Sequence, residues 1–131
     1  LEELLMQSDI VVLCLAYTKE THHFMDKDKL KLMKPHAILV NVSRGKVVDT
    51  NALVKALKNG QIKAALLDVF EEEPLPPNHP LLKLDNVIFT PHIAGYTKEA
   101  MRETAEYVYN AIVTFSKGLR VNNLIVECGM Q

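Results

Sequence analysis

Four short runs of β-branched and apolar residues, Ile10 to Leu15, Ala37 to Val42, Ala64 to Val69 and Asn86 to Thr90, constrain this chain more than any other feature. None alternates cleanly between apolar and polar, as a strand with one wet face would, so they read as strands buried on both faces. Such strands belong to a largely parallel sheet covered by helices.

The segments between the runs fit crossover connections. Asp26 to Met33 reads as a short helix with Leu30 and Met33 inward, ended at Lys34-Pro35 because proline disfavours helix in the residue before it. Asp49-Thr50-Asn51 offers capping oxygens, Ala52, Leu53, Ala56 and Leu57 form a helical stripe, and Asn59-Gly60 supplies a stop. Glu71 to Pro80 holds four prolines and no period, the pattern of an exposed, rigid loop. From Thr97 to about Lys117 the apolar positions Ala100, Met101, Ala105, Val108, Ala111, Ile112 and Phe115 keep helical spacing, and Gly118 can close the helix. Leu119 to Gln131 is apolar without a decisive period and reads as a strand or arm. The alternating order predicts an α/β fold, the second half of a doubly wound parallel sheet followed by a long crossing helix.

At 131 residues the chain has length for one compact domain. Leu1 to Met6 reads as the last turns of a helix already under way, so a piece of a longer protein is expected. A net charge of −1 offers no general attraction for polyanions, and no basic run is interleaved with aromatics, so neither nucleic acid nor an anionic membrane is an expected partner. The longest apolar run, Ile10 to Ala16, falls far short of the ~20 residues of a membrane-spanning helix. Cys14 and Cys128 form no CxxC pair, which predicts reduced thiols in a cytoplasmic setting.

Ligands of open parallel sheets bind beyond the carboxyl ends of the strands, and those positions are heavily loaded here. Asn41-Val42-Ser43-Arg44-Gly45 follows the second run, Asp68-Val69-Phe70-Glu71-Glu72-Glu73-Pro74 the third, and Thr90-Pro91-His92-Ile93-Ala94-Gly95 the fourth. Arg44 carries a planar fork suited to bidentate capture of a carboxylate, and Gly45 lets backbone approach a ligand. His92 can donate or accept a proton near neutral pH, and Glu73 can fix its tautomer and favour its protonated form. Each residue alone has a blander reading: Arg44 as a surface guanidinium, His92 as a satisfied structural histidine, Glu71 to Glu73 as a solvated acidic turn. His22-His23 has no third ligand at recognisable spacing, and neighbouring side chains are expected on different faces, so no metal site is expected. His36 and His79 sit beside prolines at element boundaries and read as structural or exposed. There is no Gly-x-Gly-x-x-Gly and no nucleophile elbow.

The ordered motifs Asn41-Val42-Ser43-Arg44-Gly45-Lys46-Val47-Val48-Asp49, Leu67-Asp68-Val69-Phe70-Glu71-Glu72-Glu73-Pro74 and Pro91-His92 resemble the D-isomer-specific 2-hydroxyacid dehydrogenases. The resemblance extends over essentially the whole chain, from Ser8-Asp9 to Asn78-His79-Pro80-Leu81, and Pro74-Leu75-Pro76 with Asn78 to Leu82 is most similar to the glyoxylate and hydroxypyruvate reductases. It departs from the family at Ala16, where a proline is usual nearby, and at Gly95-Tyr96, where many members carry Ser-Ala or Ser-Ser.

The resemblance implies an oxidoreductase passing hydride between NAD or NADP and the carbonyl of a small 2-keto acid. Arg44 would bind the substrate carboxylate, His92 would protonate the carbonyl oxygen, and Glu73 would orient and charge His92. Cys14, Leu15, Ala16, Val42, Ser43, Arg44, Asp68, His92 and Gly95 would line the cofactor, Asp68 through the nicotinamide carboxamide. The resemblance further implies a division into residues 1–96, part of the cofactor domain, and 97–131, a helix and tail packing on a substrate domain outside this segment. It implies a homodimer at full length and no activity for the 131 residues alone. Other branches carry the same motifs, including D-lactate and D-3-phosphoglycerate dehydrogenases and the cofactor-sensing corepressors of the C-terminal binding protein type. The choice between NAD and NADP rests on a group ~20 residues after a glycine loop that this segment does not contain.

Overall fold

The computed structural model describes residues 1–121. Their contacts divide the chain into two compact units, Leu1–Ala94 and Gly95–Gln131.

In the first unit, a short helix α1 (Glu2–Gln7) leads into β1 (Ile10–Leu13), α2 (Lys27–Leu32) into β2 (Ile38–Asn41), and α3 (Thr50–Lys58) into β3 (Ala64–Leu67), with β4 (Val87–Phe89) last. The strands lie side by side in chain order, every pair parallel. Parallel neighbours need crossover connections, and α2 and α3 provide two of them. Both helices start on an aspartate: Asp26 accepts the amides of Asp28 and Lys29, and Asp49 accepts that of Ala52. Asn59 caps the end of α3, and Gly60 follows at φ +63°, the left-handed backbone that glycine adopts without steric cost.

The core is built on one face of the sheet. Val11, Leu13, Leu39, Ala65, Leu67 and Val87 point into it, where they meet Leu5 of α1, Leu30 of α2 and Leu53, Ala56 and Leu57 of α3. The inward stripes expected of α2 and α3 are therefore present. Burial of the strands on both faces is not. Ile10, Val12 and Ile88 are 60%, 54% and 63% exposed, and the register sets Val12 beside Val40, Leu66 and Ile88 in one apolar row on the open face. Continuous apolarity correctly marked these runs as strands of a parallel sheet but not their burial; α1, α2 and α3 all pack into the same core, so among the described residues only one face is covered.

The loop after β3 is interrupted by a 3₁₀ turn, Pro80–Lys83, whose first N–H, that of Leu81, is accepted by His79 Nδ1 at 3.2 Å. His79 is thus structural, and His36, 2.9 Å from Asp9 Oδ1, is exposed.

Among the described residues the second unit has one regular element, α4 (Lys98–Ser116), begun by Thr97, whose Oγ1 accepts the Ala100 N–H, and closed by Lys117 and Gly118. None of its residues is buried. The expected strand or arm from Leu119 falls mainly outside the described residues; Leu119 to Val121 have no regular structure. No helix among the described residues is long and apolar enough to cross a membrane.

Candidate active site

Each candidate catalytic side chain stands just beyond the carboxyl end of a different strand. After β2 the chain makes a tight side-chain-stabilised turn. Asn41, 1% exposed, accepts both the N–H and the hydroxyl of Ser43 on Oδ1, at 3.0 and 2.8 Å, and donates Nδ2–H to the Arg44 carbonyl at 3.1 Å. An asparagine bonding to backbone two residues ahead is a local turn device, and it throws Arg44 outward while Ser43 stays buried. Arg44 is exposed, and one of its five side-chain donors, on Nη1, is given to the Ser43 carbonyl at 2.7 Å.

The backbone that follows runs against the loop after β3. A Cβ on Gly45 would lie 1.9 Å from the Phe70 carbonyl carbon, so only glycine permits this approach. The approach joins the Arg44 segment to the loop that carries Glu73.

After β4, His92 takes φ +55°, a left-handed conformation uncommon outside glycine and found where surroundings fix it. Asp68 is what fixes it. This carboxylate, 4% exposed at the end of β3, accepts the Thr90 hydroxyl and the Ile93 N–H on Oδ1 and the Ala94 N–H on Oδ2, while its backbone carbonyl accepts the His92 N–H at 2.8 Å. Burial pushes the Asp68 carboxyl up, but those hydrogen bonds outweigh it and hold it below its ordinary value.

The imidazole so presented has its Nδ1 2.9 Å from Glu73 Oε2, and Glu73 Oε1 accepts the Phe70 N–H at 2.9 Å. The hydrogen bond from His92, then that from Phe70, holds the Glu73 carboxyl below the ordinary glutamate value. An ionised partner on Nδ1 fixes the tautomer and leaves Nε2 as the nitrogen free to exchange a proton. His92 and Glu73 are 48% and 37% exposed, so the pair is open to a ligand from the cleft.

That cleft, of about 640 Å³, is lined by Arg44, Glu73 and His92 together with Leu15, Ala16, Tyr17, Lys46, Phe70 and Glu71. Of the residues expected to line a cofactor, Leu15, Ala16, Arg44 and His92 border it. Cys14, an exposed free thiol, and exposed Val42 do not line it, Ser43 and Asp68 are buried, and Gly95 belongs to the second unit. The sequence gives no site role to Asn41, Tyr17, Lys46, Glu71 or Thr90. Asn41 alone carried a signal, an asparagine at a strand end two residues before a serine.

A second correction concerns His22 and His23. They were expected on different faces, yet their rings stack with centroids 3.9 Å apart. His23 takes φ +49°, and that left-handed backbone breaks the usual alternation of side chains. Among the described residues no group of three His, Cys, Asp or Glu is placed to hold a metal ion.

Residues 1–94 match the family model described as D-isomer specific 2-hydroxyacid dehydrogenase, NAD binding domain. A glyoxylate reductase of Thermofilum pendens is 53% identical over 118 residues, which are 90% of this chain and 35% of that protein. The chain thus spans about a third of the length of such relatives. A D-isomer specific 2-hydroxyacid dehydrogenase from Xanthobacter autotrophicus, solved with NADPH, superposes with a TM-score of 0.85 at 40% identity, over 95% of this chain and 51% of that one. A D-lactate dehydrogenase from Aquifex aeolicus, solved with NAD and lactic acid, gives 0.79 at 39% identity, over 89% of this chain and 40% of that one.

Proposed function

This chain belongs to the D-isomer specific 2-hydroxyacid dehydrogenases, and from that premise we propose that the whole protein reduces the carbonyl of a small 2-keto acid of the glyoxylate or hydroxypyruvate kind. The observation that carries the reading is the 2.9 Å contact of His92 Nδ1 with Glu73, on the cleft that Arg44 also lines. A cation for a carboxylate and a proton donor for a carbonyl oxygen are the two groups such a reduction needs.

The residues at the strand ends suit a nicotinamide. Leu15 and Ala16 offer an apolar wall with backbone beside it, and Asp68 Oδ2, which accepts one amide hydrogen bond, keeps capacity for a further donor. When bound, the reduced cofactor supplies the hydride. Arg44 takes the substrate carboxylate and draws electron density from the adjoining carbonyl. His92 gives its Nε2 proton to the oxygen as negative charge develops there, and Glu73 steadies the imidazolium beforehand. The residues 1–96 supply this half of the site, and 97–131 pack on a substrate domain. The enzyme is read as a cytoplasmic homodimer, and the exposed free thiol of Cys14 fits a reducing compartment. Glyoxylate is favoured as the substrate by the likeness to the glyoxylate reductase of Thermofilum pendens, 53% identical over 118 residues.

The test is turnover by the full-length protein with NADH and NADPH across a panel of small 2-keto acids. Arg44→Ala and His92→Ala are expected to lower kcat/KM by about 10²–10⁴-fold without unfolding the protein. No turnover with any 2-keto acid, or full activity in both variants, would sink the proposal.

A further inference from the structure

The loop carrying Glu73 is held at points the catalytic roles do not require. Glu71 divides its carboxylate between two other parts of the fold: Oε1 accepts the Thr50 N–H, at the first residue of α3, at 3.0 Å, and Oε2 lies 3.3 Å from His23 Nε2. Burial pushes its carboxyl up, and the hydrogen bonds to Thr50 and His23 overcome that, keeping it below its ordinary value. Glu72, beside it, is exposed and makes no comparable contact.

His23 is itself firmly placed. Its N–H donates to the Lys46 carbonyl at 2.8 Å, and the next residues continue along the same strip, Met25 N–H to Val47 O at 2.9 Å and Asp49 N–H to Met25 O at 3.1 Å. The strip from Lys46 to Asp49 is the backbone leading from Arg44 to α3. Glu71 therefore ties the Glu73 loop to both ends of the segment that begins at Arg44, in addition to the close approach of Gly45 to the Phe70 and Glu71 backbone. The two described residues other than glycine with left-handed backbones, His23 and His92, each meet a glutamate of this one loop.

We propose that Glu71 is a positioning residue: by clamping its loop to Thr50 and His23 it sets the separation of Arg44 from Glu73, and through Glu73 the orientation of the His92 imidazole. The proposal rests on the functional reading above for what that separation serves. Glu71 borders the cleft, but both oxygens are taken by protein partners, so it acts on the loop and not on the ligand. Geometry of this kind matters because displacement of a reacting group by about 1 Å costs on the order of 10²-fold in rate.

The experiment compares Glu71→Ala, Glu71→Gln and His23→Asn in the full-length enzyme. Glutamine keeps an oxygen for the Thr50 N–H and an amide within reach of His23; asparagine tolerates the left-handed backbone but no longer reaches Glu71. Glu71→Ala is expected to lower kcat by about 10–10²-fold with the KM for cofactor unchanged. Glu71→Gln should recover most of that loss, and His23→Asn should show a smaller loss of the same kind. A second readout needs no turnover: a carboxyl-carbon NMR titration of Glu73, whose midpoint should rise toward that of a free glutamate in Glu71→Ala and stay low in Glu71→Gln. An unmoved Glu73 midpoint in both Glu71→Ala and His23→Asn overturns the clamp. Equal damage in Glu71→Gln and Glu71→Ala also overturns it, because the charge and not the tether would then be at work. A wild type that turns over no 2-keto acid fells the functional reading alone, and the titration still decides the clamp.

Discussion

The Leu1–Ala94 unit and the helix α4 are both rich in apolar residues, but they spend them differently. The first closes a core in which Leu5, Leu30, Leu39 and Ile62 lose all exposure, while Met101, Ile112 and Phe115 of α4 remain 64%, 63% and 69% exposed. Parallel pairing accounts for the contrast. Each crossover helix must return its apolar stripe to the strands it connects, so the sequence that makes the helix also supplies its partner. α4 follows β4 and leads to no further strand among the described residues, so its stripe sets a helix without setting what covers it.

The largest expected effect that separates the two regions is truncation of a matched pair of side chains. In the 131-residue chain, Leu39→Ala should cost about 2–5 kcal/mol by urea denaturation, and Ile112→Ala should stay within about 0.5 kcal/mol, as exposed sites do. In the full-length protein, where 97–131 are proposed to pack on a substrate domain, Ile112→Ala should approach the cost of Leu39→Ala. An Ile112 variant equally silent in both would break the proposed packing.

The same contrast explains what could be read from residues alone. The four strands were legible as continuous apolar runs too short for a buried helix, and the starts of α2, α3 and α4 because Asp26, Asp49 and Thr97 are capping residues at the head of apolar stripes. Arg44, Glu73 and His92 were legible only as strand-end positions joined to a family resemblance, each having a bland reading by itself. What stayed hidden depends on pairs distant in sequence. The covered face of the sheet, the stacking of His22 on His23 and the reach of Glu71 to Thr50 arise from packing and from left-handed backbones, and no local pattern announces either.

Asp68 sharpens the comparison within the first unit, because it ties β3 to the His92 turn through three side-chain hydrogen bonds. Asp68→Asn would set an amide N–H against a backbone N–H, and a loss of about 1–3 kcal/mol is expected for the unmet group. The pH dependence has a definite sign. The folded pKa lies below the unfolded value of about 3.9, so this stabilisation is complete above roughly pH 5 and is lost as pH falls through the folded value. Denaturation midpoints measured from pH 7 down to 3 should therefore fall more steeply in the wild type than in Asp68→Asn. Parallel curves would remove Asp68 from the acid response.

The smallest effect isolates connection from local helix formation, because α3 and α4 begin with equivalent caps. Asp49 accepts the Ala52 N–H at 2.9 Å and Thr97 the Ala100 N–H at 3.0 Å. Replacing either by alanine removes one such bond, worth about 1 kcal/mol of helix stability. In α3 the helix buries Leu53, Ala56 and Leu57 in the common core, so its first turn cannot open without loosening the sheet. Asp49→Ala should therefore lower the cooperative unfolding free energy of the whole unit by about 1 kcal/mol. α4 buries nothing among the described residues, so in this chain Thr97→Ala should leave that transition in place and instead speed amide exchange in the first turn of α4 alone. Should Thr97→Ala shift the cooperative transition as far as Asp49→Ala does, the two units would be one folding unit, and the contrast between them would be one of exposure only.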